Sequence, residues 1–451
     1  MSLQWLNPLT STEINDVTMQ PATSPLAGSP LLSRSLFPQP PFANADDLLF
    51  CQALSQQLLR HSEARQFPDV IALGFWLRSA QLTSMLQPYQ TFYAAQQIQL
   101  QPTGLWFHSA PRNVDSLFMY AAILSLLCGN QNIIRLSSAR GGSSALVLTA
   151  LQQLAADYPS QCARLQLITC PHHDAELTAL LAQVDGRVLW GSDDAILAQR
   201  QLPMPAHARE LCFHHKLSLC VLNASYVIQQ FSRAETSANA QQMLALFVRD
   251  HLTFAQQACS SAKVLVWQGS DLECVTAQQL FWPALTAYVA EHPVASLQGT
   301  EHFQALAAAQ YFAMQGFAQG DVVEPYQPSI TQPDRMSPEH ATSTNPALQW
   351  TAPFARLQVP HLHEAITLEH PGCGLFIELT VATLDELLPQ LAQAHQTISY
   401  VGFTPEQCAA WLGQCPRGVE RMVPLGQSLQ FGPIWDGIDL VLQFSRLRVI
   451  R

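Results

Sequence analysis

Cys259 is the residue whose sequence neighbours best suit covalent chemistry. It lies in Phe254–Ser261 (FAQQACSS), between a helix-like stretch and the strand-like run Lys263–Trp267. Substrate can reach a cysteine among small polar residues at such a junction. Backbone N–H groups there can lower its pKa and bind the oxygen of an attacked carbonyl. Most free cysteines are instead small buried hydrophobic residues. The motifs upstream of Cys259 favour the nucleophile over that alternative.

The segment Phe107–Asp115 (FHSAPRNVD) is predicted to run from a strand into a helix. Asn113 could offer its side-chain amide to a developing oxyanion. The competing interpretation is an ordinary N-cap for the helix that follows.

Two further segments follow predicted strands. In Leu127–Ser138, Arg135 and Ser137 would emerge at the carboxyl end of a buried strand, where open α/β sheets bind ligands. A cation at that place suits a ribose or a phosphate. In Val188–Ala195, Gly191 and Ser192 begin a helix whose N-terminus can hold a pyrophosphate, although Gly-Ser also serves as a common helix cap.

The elements that must position these residues alternate in type along the chain. One predicted strand spans Gln97–His108 and another Leu440–Ile450, and a helix spans Ala240–Phe254. Strands and helices alternate both before and after Leu217 at a spacing that indicates parallel, doubly wound sheets. We therefore expect two α/β units in series with a substrate cleft between them. The stretch Asp321–Asn345 is predicted to be a surface excursion.

Composition narrows the possible functions. The 451 residues carry a formal net charge of −11 without a basic run, which disfavours nucleic-acid binding. The 11 cysteines form no CxxC pair, and Cys170-Pro171-His172-His173 lacks a second cluster at zinc spacing, so no metal site is predicted. The sequence contains neither an apolar run of about 18 residues nor a secretory signal. We expect a cytoplasmic protein without a transmembrane segment.

Taken together, the four motifs resemble the aldehyde dehydrogenase superfamily, and more narrowly the long-chain acyl-CoA reductases of bacterial bioluminescence operons. Further segments match that narrower family, and the resemblance runs from about residue 70 to the C-terminus. These segments are Leu73–Arg78 (LGFWLR), Phe213–Ser218 (FHHKLS), Gln396–Tyr400 (QTISY) and Trp435–Gly437 (WDG).

The resemblance implies a Rossmann-like nucleotide-binding domain over residues 46–227 and an α/β catalytic domain over 228–430. An extended lead-in (1–45) precedes them and a C-terminal strand segment (431–451) follows. It also implies a role for each matching position. Cys259 is the nucleophile, Asn113 and the Cys259 N–H form the oxyanion hole, and Arg135 lies near the adenosine ribose. Gly191 and Ser192 hold the pyrophosphate, and Glu369 contacts the nicotinamide ribose.

One departure from the superfamily favours acyl-CoA chemistry. Hydrolytic relatives carry a glutamate general base where this chain has Phe213–Ser218, which contains none. The resemblance therefore predicts reduction of a fatty acyl-CoA, or an acyl thioester, to a fatty aldehyde. Arg135 suits the 2′-phosphate of NADPH, with NADH left open. The alternatives are a short-chain CoA-acylating aldehyde dehydrogenase and a non-catalytic acyl-binding scaffold. An acyl-protein synthetase partner and a homo-oligomer are further expectations from the family.

Overall fold

The structure is a computed structural model that describes residues 3–6, 40–110, 117–136, 142–171, 174–232, 238–294, 297, 300–317, 348–351, 354–415 and 417–451. The chain forms two compact units. Unit 1 comprises Met1–His214 and Phe431–Arg451, and unit 2 comprises His215–Gln430. The functional roles that the sequence predicts for the domains stay a prediction.

Strands and helices alternate through most of the described chain. The strands are β1 Gln4–Trp5, β2 Ile98–Pro102, β3 Leu105–Ser109, β4 Gln131–Arg135, β5 Leu165–Thr169, β6 Gly186–Trp190, β7 Arg209–Phe213, β8 Leu217–Asn223, β9 Ala262–Gln268, β10 Leu348–Thr351, β11 Phe354–Gln358, β12 Leu375–Val381, β13 His395–Val401, β14 Arg421–Pro424, β15 Ile434–Trp435, β16 Ile438–Asp439 and β17 Ser445–Val449. The helices are α1 Ala45–Arg60, α2 Pro68–Trp76, α3 Ser79–Ala95, α4 Leu117–Leu127, α5 Gly142–Leu154, α6 Pro159–Ala163, α7 Ala175–Leu181, α8 Asp193–Arg200, α9 Ala224–Phe231, α10 Ala238–His251, α11 Asp271–Glu291, α12 Thr300–Met314, α13 Glu364–Glu369, α14 Pro405–Leu412 and α15 Leu440–Phe444, with 3-10 turns at Ala64–Gln66 and Leu384–Gln390.

The main sheet of unit 1 has the strand order β1-β5-β4-β3-β6-β7. Its strands are parallel except β1, an edge strand that pairs antiparallel with β5. The chain winds outward from β3 through β4 to β5 and then returns to place β6 on the other side of β3. This reversal makes the β3–β6 boundary a topological switch point, the place where open α/β sheets bind ligands.

The single strand predicted for Gln97–His108 is wrong in one respect, because the segment forms two strands in two different sheets. Gly104 separates them with φ of +139°, and a Cβ there would collide with an Asp185 carboxylate oxygen. Strand β3 joins the main sheet, whereas β2 pairs antiparallel with β17. The strand predicted over Leu440–Ile450 is likewise helix α15 followed by β17, which returns to the N-terminal half of the chain.

The main sheet of unit 2 has the strand order β10-β11-β12-β9-β8-β13-β14, in which only β10 is antiparallel to its neighbour. Alternate residues of β8 enter two different hydrophobic clusters. Leu219 and Val221 pack with Phe312 of α12, and Leu222 packs with Phe247 and Phe281 of α10 and α11. A central parallel strand is thus covered by helices on both faces, which explains its apolar run Leu219–Leu222.

The α/β class predicted from the sequence is confirmed, with local differences at helix ends. Helix α10 ends at His251, three residues before the predicted end, and the predicted excursion Asp321–Asn345 lies outside the described residues. None of the described helices combines the length and the apolar character that crossing a bilayer requires.

Candidate active site

Cys259 lies in a loop between α10 and β9, at the amino end of the unit 2 sheet. Two non-glycine residues of this loop, Ala255 and Gln256, adopt φ of +50° and +62°. Such left-handed conformations need support from their surroundings. Among the 11 cysteines, none of which forms a disulfide, only Cys212, Cys259 and Cys415 are partly exposed. Burial raises the pKa of the Cys212 and Cys415 thiols, to about 11 for Cys212.

Side-chain hydrogen bonds tie the Cys259 loop to the strands beneath it. The Ser218 hydroxyl donates to the Cys259 carbonyl at 2.6 Å, and the Gln256 amide donates to the Ala262 carbonyl at 2.8 Å. His251 Nδ1 accepts from the Ala262 N–H at 3.0 Å. Burial lowers the pKa of His251 to about 3, so the ring is neutral and acts as a structural acceptor here.

The segment His370–Gly374 packs directly against this loop. The Cys373 N–H donates to the Ala255 carbonyl at 2.7 Å, and the Gln257 side chain donates to the Pro371 carbonyl. Gly372 has φ of +75°, and a Cβ there would lie 3.0 Å from the Gln256 carbonyl oxygen. Close backbone approach and positive φ together require glycine at this position. The loop is therefore held from two sides, which fixes the backbone that carries Cys259.

Sequence reasoning overlooked Ser218, Gln256 and Gly372, the residues that fix this loop. Ser218 lies in the FHHKLS segment, and Gly372 lies three residues after Glu369. Nothing in the local sequence pattern shows that either residue contacts residues 250–262. Their contacts join positions 6 to 118 residues apart in the chain. Only the order of strands in the sheet brings them together.

Three of the predicted cofactor residues, Arg135, Gly191 and Ser192, lie at the carboxyl edge of the unit 1 sheet. Arg135 is the last residue of β4, and its Nε donates to the Cys170 carbonyl at 3.0 Å. The side chain is 9% exposed, so part of the guanidinium supports the strand end. Asn113 and Ser137 lie outside the described residues. Their roles, like that of Arg135, stay predictions.

Gly191 and Ser192 connect β6 to α8 at the switch point. The Gly191 N–H donates to the Phe213 carbonyl at 3.2 Å, and Ser192 Oγ accepts from the Ala195 N–H at 3.4 Å as the helix N-cap. Asp193 and Asp194 occupy the first turn of α8. Their carboxylates stabilise the helix but oppose a second anion, so a pyrophosphate here depends on nearby cations. The strand order and the cationic Arg135 suit the binding of a dinucleotide at this edge. The two aspartates in the first turn of α8 make this binding less favourable.

Glu369 ends α13 and is exposed, and its carboxylate raises the pKa of Tyr311 through a hydrogen bond. The neighbouring histidines of the FHHKLS segment also have partners. His214 Nδ1 lies 3.6 Å from Asp193 Oδ1, and His215 Nε2 lies 2.8 Å from the Thr367 carbonyl oxygen. Both histidines thus contact other groups of the protein.

Solved structures show the class of fold. The chain resembles aldehyde dehydrogenase 21 from Physcomitrella patens (TM-score 0.59, 8% identity, covering 90% of this chain and 85% of that one). It also resembles an NAD-dependent aldehyde dehydrogenase from Sinorhizobium meliloti (TM-score 0.58, 13% identity, 92% and 84%). A third similar structure is an aldehyde dehydrogenase from Bartonella henselae (TM-score 0.57, 14% identity, 89% and 86%). The fold is that of the aldehyde dehydrogenases.

A family model narrows this class. Residues 48–325 match the model described as acyl-CoA reductase (LuxC), and the chain therefore belongs to that family. It is an oxidoreductase of acyl or aldehyde groups. No curated protein matches the sequence.

Proposed function

We propose that this chain reduces a fatty acyl-CoA, or another fatty acyl thioester, to a fatty aldehyde with NADPH through an acyl group held on Cys259. The observation that carries the proposal is the partly exposed Cys259 on a loop anchored from two sides, in a member of the acyl-CoA reductase family. A nucleophile must be both reachable and held in place.

Acyl transfer is the first proposed step. The Cys259 thiolate attacks the thioester carbonyl, the bond from that carbon to the CoA sulfur breaks, and CoA leaves as its thiolate. Asn113 and the Cys259 N–H bind the oxyanion, an effect of about 3–4 kcal/mol per donor. The Cys259 carbonyl accepts from Ser218 at 2.6 Å, which holds this residue's backbone in one orientation.

Reduction is the second proposed step. The nicotinamide cofactor, when bound, supplies the hydride that adds to the acyl carbon. The resulting thiohemiacetal expels the Cys259 thiolate and releases the aldehyde, so one thioester, one hydride and one proton give aldehyde and free CoA. Arg135, Ser137, Gly191, Ser192 and Glu369 are the residues proposed to hold the cofactor, with Arg135 favouring the 2′-phosphate of NADPH over NADH.

The FHHKLS segment supports acyl transfer over hydrolysis. No glutamate stands in it, and both of its histidines contact other protein groups. Without a base to activate water, an acyl-cysteine survives long enough to be reduced. A short-chain CoA-acylating aldehyde dehydrogenase is the second candidate, since the same residues would serve it. The scaffold alternative would not require a reachable Cys259.

Intact-protein mass spectrometry after incubation with acyl-CoAs of increasing chain length tests the proposal. We expect an acyl-sized mass gain in the wild type and in Cys415→Ala, a matched variant of another partly exposed cysteine of unit 2. Cys259→Ala should show no gain. The chain that reacts fastest separates the fatty acyl from the short-chain reductase. An adduct that persists in Cys259→Ala would refute the assignment of the nucleophile.

A further inference from the structure

The segment Gln396–Tyr400 (QTISY) matches the family but has no part in the chemistry proposed above. It lies within β13, whose residues are all buried. In the strand order of the sheet, β8 separates β13 from β9, the strand that follows Cys259. An effect of this segment on Cys259 must therefore pass across β8.

The pairing of β8 with both of its neighbours is irregular around Ser218. The register with β9 shifts between Ser218 and Leu219, and the register with β13 shifts between His395 and Ile398. Such irregularities take main-chain groups out of the regular ladder, and they are frequent next to active sites. A side chain can replace a main-chain partner at such a place.

The Ser218 hydroxyl makes this replacement. Its Oγ accepts from the Thr397 N–H at 3.3 Å, and its O–H donates to the Cys259 carbonyl at 2.6 Å. Ser218 is fully buried, at 0% exposure, so both bonds form away from water. A hydroxyl that accepts on one side and donates on the other makes a directed chain from β13 to Cys259, in which each bond strengthens the next.

A second chain of hydrogen bonds reaches the end of the loop through His251. Its Nδ1 accepts from the Ala262 N–H at 3.0 Å, and the ring is neutral because burial lowers its pKa. The proton of this neutral imidazole therefore lies on Nε2. Nε2 is 3.3 Å from Ser399 Oγ and donates to it, and the Ser399 hydroxyl lies 3.5 Å from the Leu219 carbonyl oxygen. Ser399 of β13 thus holds the ring that binds the first residue of β9.

We propose that β13 positions the Cys259 loop for reaction through two serines. Ser218 holds the Cys259 carbonyl, and Ser399 holds His251 and, through it, the end of the loop at β9. Two fixed points so close in sequence restrict the main chain that carries the thiol. Both serines are positioning residues, because they act through the backbone of the loop. The proposal rests on the proposed function, since it assumes that Cys259 is the nucleophile.

Single-turnover acylation by acyl-CoA, followed by intact mass, tests the effect on reaction. Ser218→Ala removes the donor to the Cys259 carbonyl, so the maximal rate should fall by about 10- to 100-fold. The acyl-CoA concentration at half-maximal rate should change by less than about threefold, because positioning affects the reacting state more than binding. Ser218→Thr keeps the hydroxyl and should restore most of the rate. Ser399→Ala acts through His251 and should give a smaller fall.

Ser55→Ala is the matched control for the loss of a buried serine. The Ser55 hydroxyl also donates to a backbone carbonyl at 2.6 Å, that of Gly74, and Ser55 is buried in unit 1. Its loss should lower the free energy of unfolding by an amount similar to that in Ser218→Ala but leave the acylation rate unchanged. Equal acylation rates in the Ser55→Ala and Ser218→Ala variants would overturn the proposal.

Hydrogen exchange measures the loop without substrate. Peptides that cover residues 252–262 should exchange about tenfold faster in Ser218→Ala and Ser399→Ala than in the wild type, because the loop opens more readily. Ser55→Ala should leave these peptides unchanged. Unchanged loop exchange in both the Ser218 and the Ser399 variant would contradict the proposal. If the wild type takes up no acyl group, the proposed function fails, and exchange still decides whether β13 holds the loop.

Discussion

The two α/β sheets carry their predicted functional residues at opposite edges. In unit 1, Arg135 ends β4 and Gly191 follows β6, so the residues lie at the carboxyl edge. In unit 2, Cys259 precedes β9 and Glu369 precedes β12, so the residues lie at the amino edge. Both sheets are mainly parallel, but the predicted residues follow the strands in unit 1 and precede them in unit 2.

The difference shows what each edge supplies. At the carboxyl edge of unit 1, strand ends and helix N-termini present main-chain N–H groups and a cation, which suits binding of an anionic ligand. At the amino edge of unit 2, side chains such as Ser218 and Gln256 anchor the irregular loop that carries the proposed nucleophile. Substitution at one edge at a time can test what each of them contributes.

Gly372→Ala should have the largest effect on activity, and this effect should arise in unit 2 alone. A Cβ there would approach the Gln256 carbonyl at 3.0 Å, which displaces the Cys259 loop. Because a misplaced reacting group can lower a rate about 100-fold, we expect a fall in kcat of that order. The dissociation constant for NADPH, from fluorescence titration, should stay within a factor of about two, well under 1 kcal/mol.

Gly316→Ala is the matched control for this glycine. Gly316 has the same φ of +75°, but a Cβ there would meet nothing within 4 Å. Both variants should lose about 1–3 kcal/mol of unfolding free energy from backbone strain. Only Gly372→Ala should lose activity. Equal activity losses in the two variants would mean that strain, not the contact with the Cys259 loop, is the cause.

Arg135→Ala should have the converse effect, in unit 1. Loss of a charged donor to a phosphate corresponds to roughly 1.5–3 kcal/mol, so we expect the KM for NADPH to rise about tenfold or more. The KM for NADH should change less. Acylation of Cys259 in the absence of cofactor should persist. Arg200→Ala removes an exposed arginine of the same unit and should leave both constants near the wild-type values. Equal effects on NADPH and NADH would refute 2′-phosphate recognition.

Acid sensitivity should be the smallest difference between the units. Burial lowers the pKa of His108 in unit 1 to about 4 and that of His251 in unit 2 to about 3. In the unfolded chain each histidine binds a proton near pH 6.5, whereas in the folded chain it does so only at lower pH. These histidines therefore do not lower the free energy of unfolding above pH 6.5, and they lower it progressively as the pH falls below that value. The loss continues to about pH 4 for His108 and about pH 3 for His251, at up to about 1.4 kcal/mol per pH unit for each.

Urea unfolding at a series of pH values measures this slope. His108→Gln should remove the part of the acid-induced loss of stability that ends near pH 4. His251→Gln should remove the part that extends to about pH 3. If neither variant flattens the dependence below pH 6.5, other groups account for the acid sensitivity of both units.

The sequence by itself determined the class of fold and most of the elements. Apolar periodicity indicated alternating strands and helices, because side-chain burial repeats locally along a strand or helix. The four motifs and their order indicated the family. Cys259 was predicted to be the nucleophile because its small polar neighbours stand beside a strand, and these are features of adjacent residues.

Tertiary structure alone decided the order of strands, the division of the Gln97–His108 segment and the support of the Cys259 loop. Strand β17 pairs with β2 across more than 340 residues, and β8, β9 and β12 become neighbours in an order that differs from the chain. The glycine requirement at Gly372 follows from such neighbours. Periodicity reports which face of an element is apolar, but packing of distant elements determines what that face contacts.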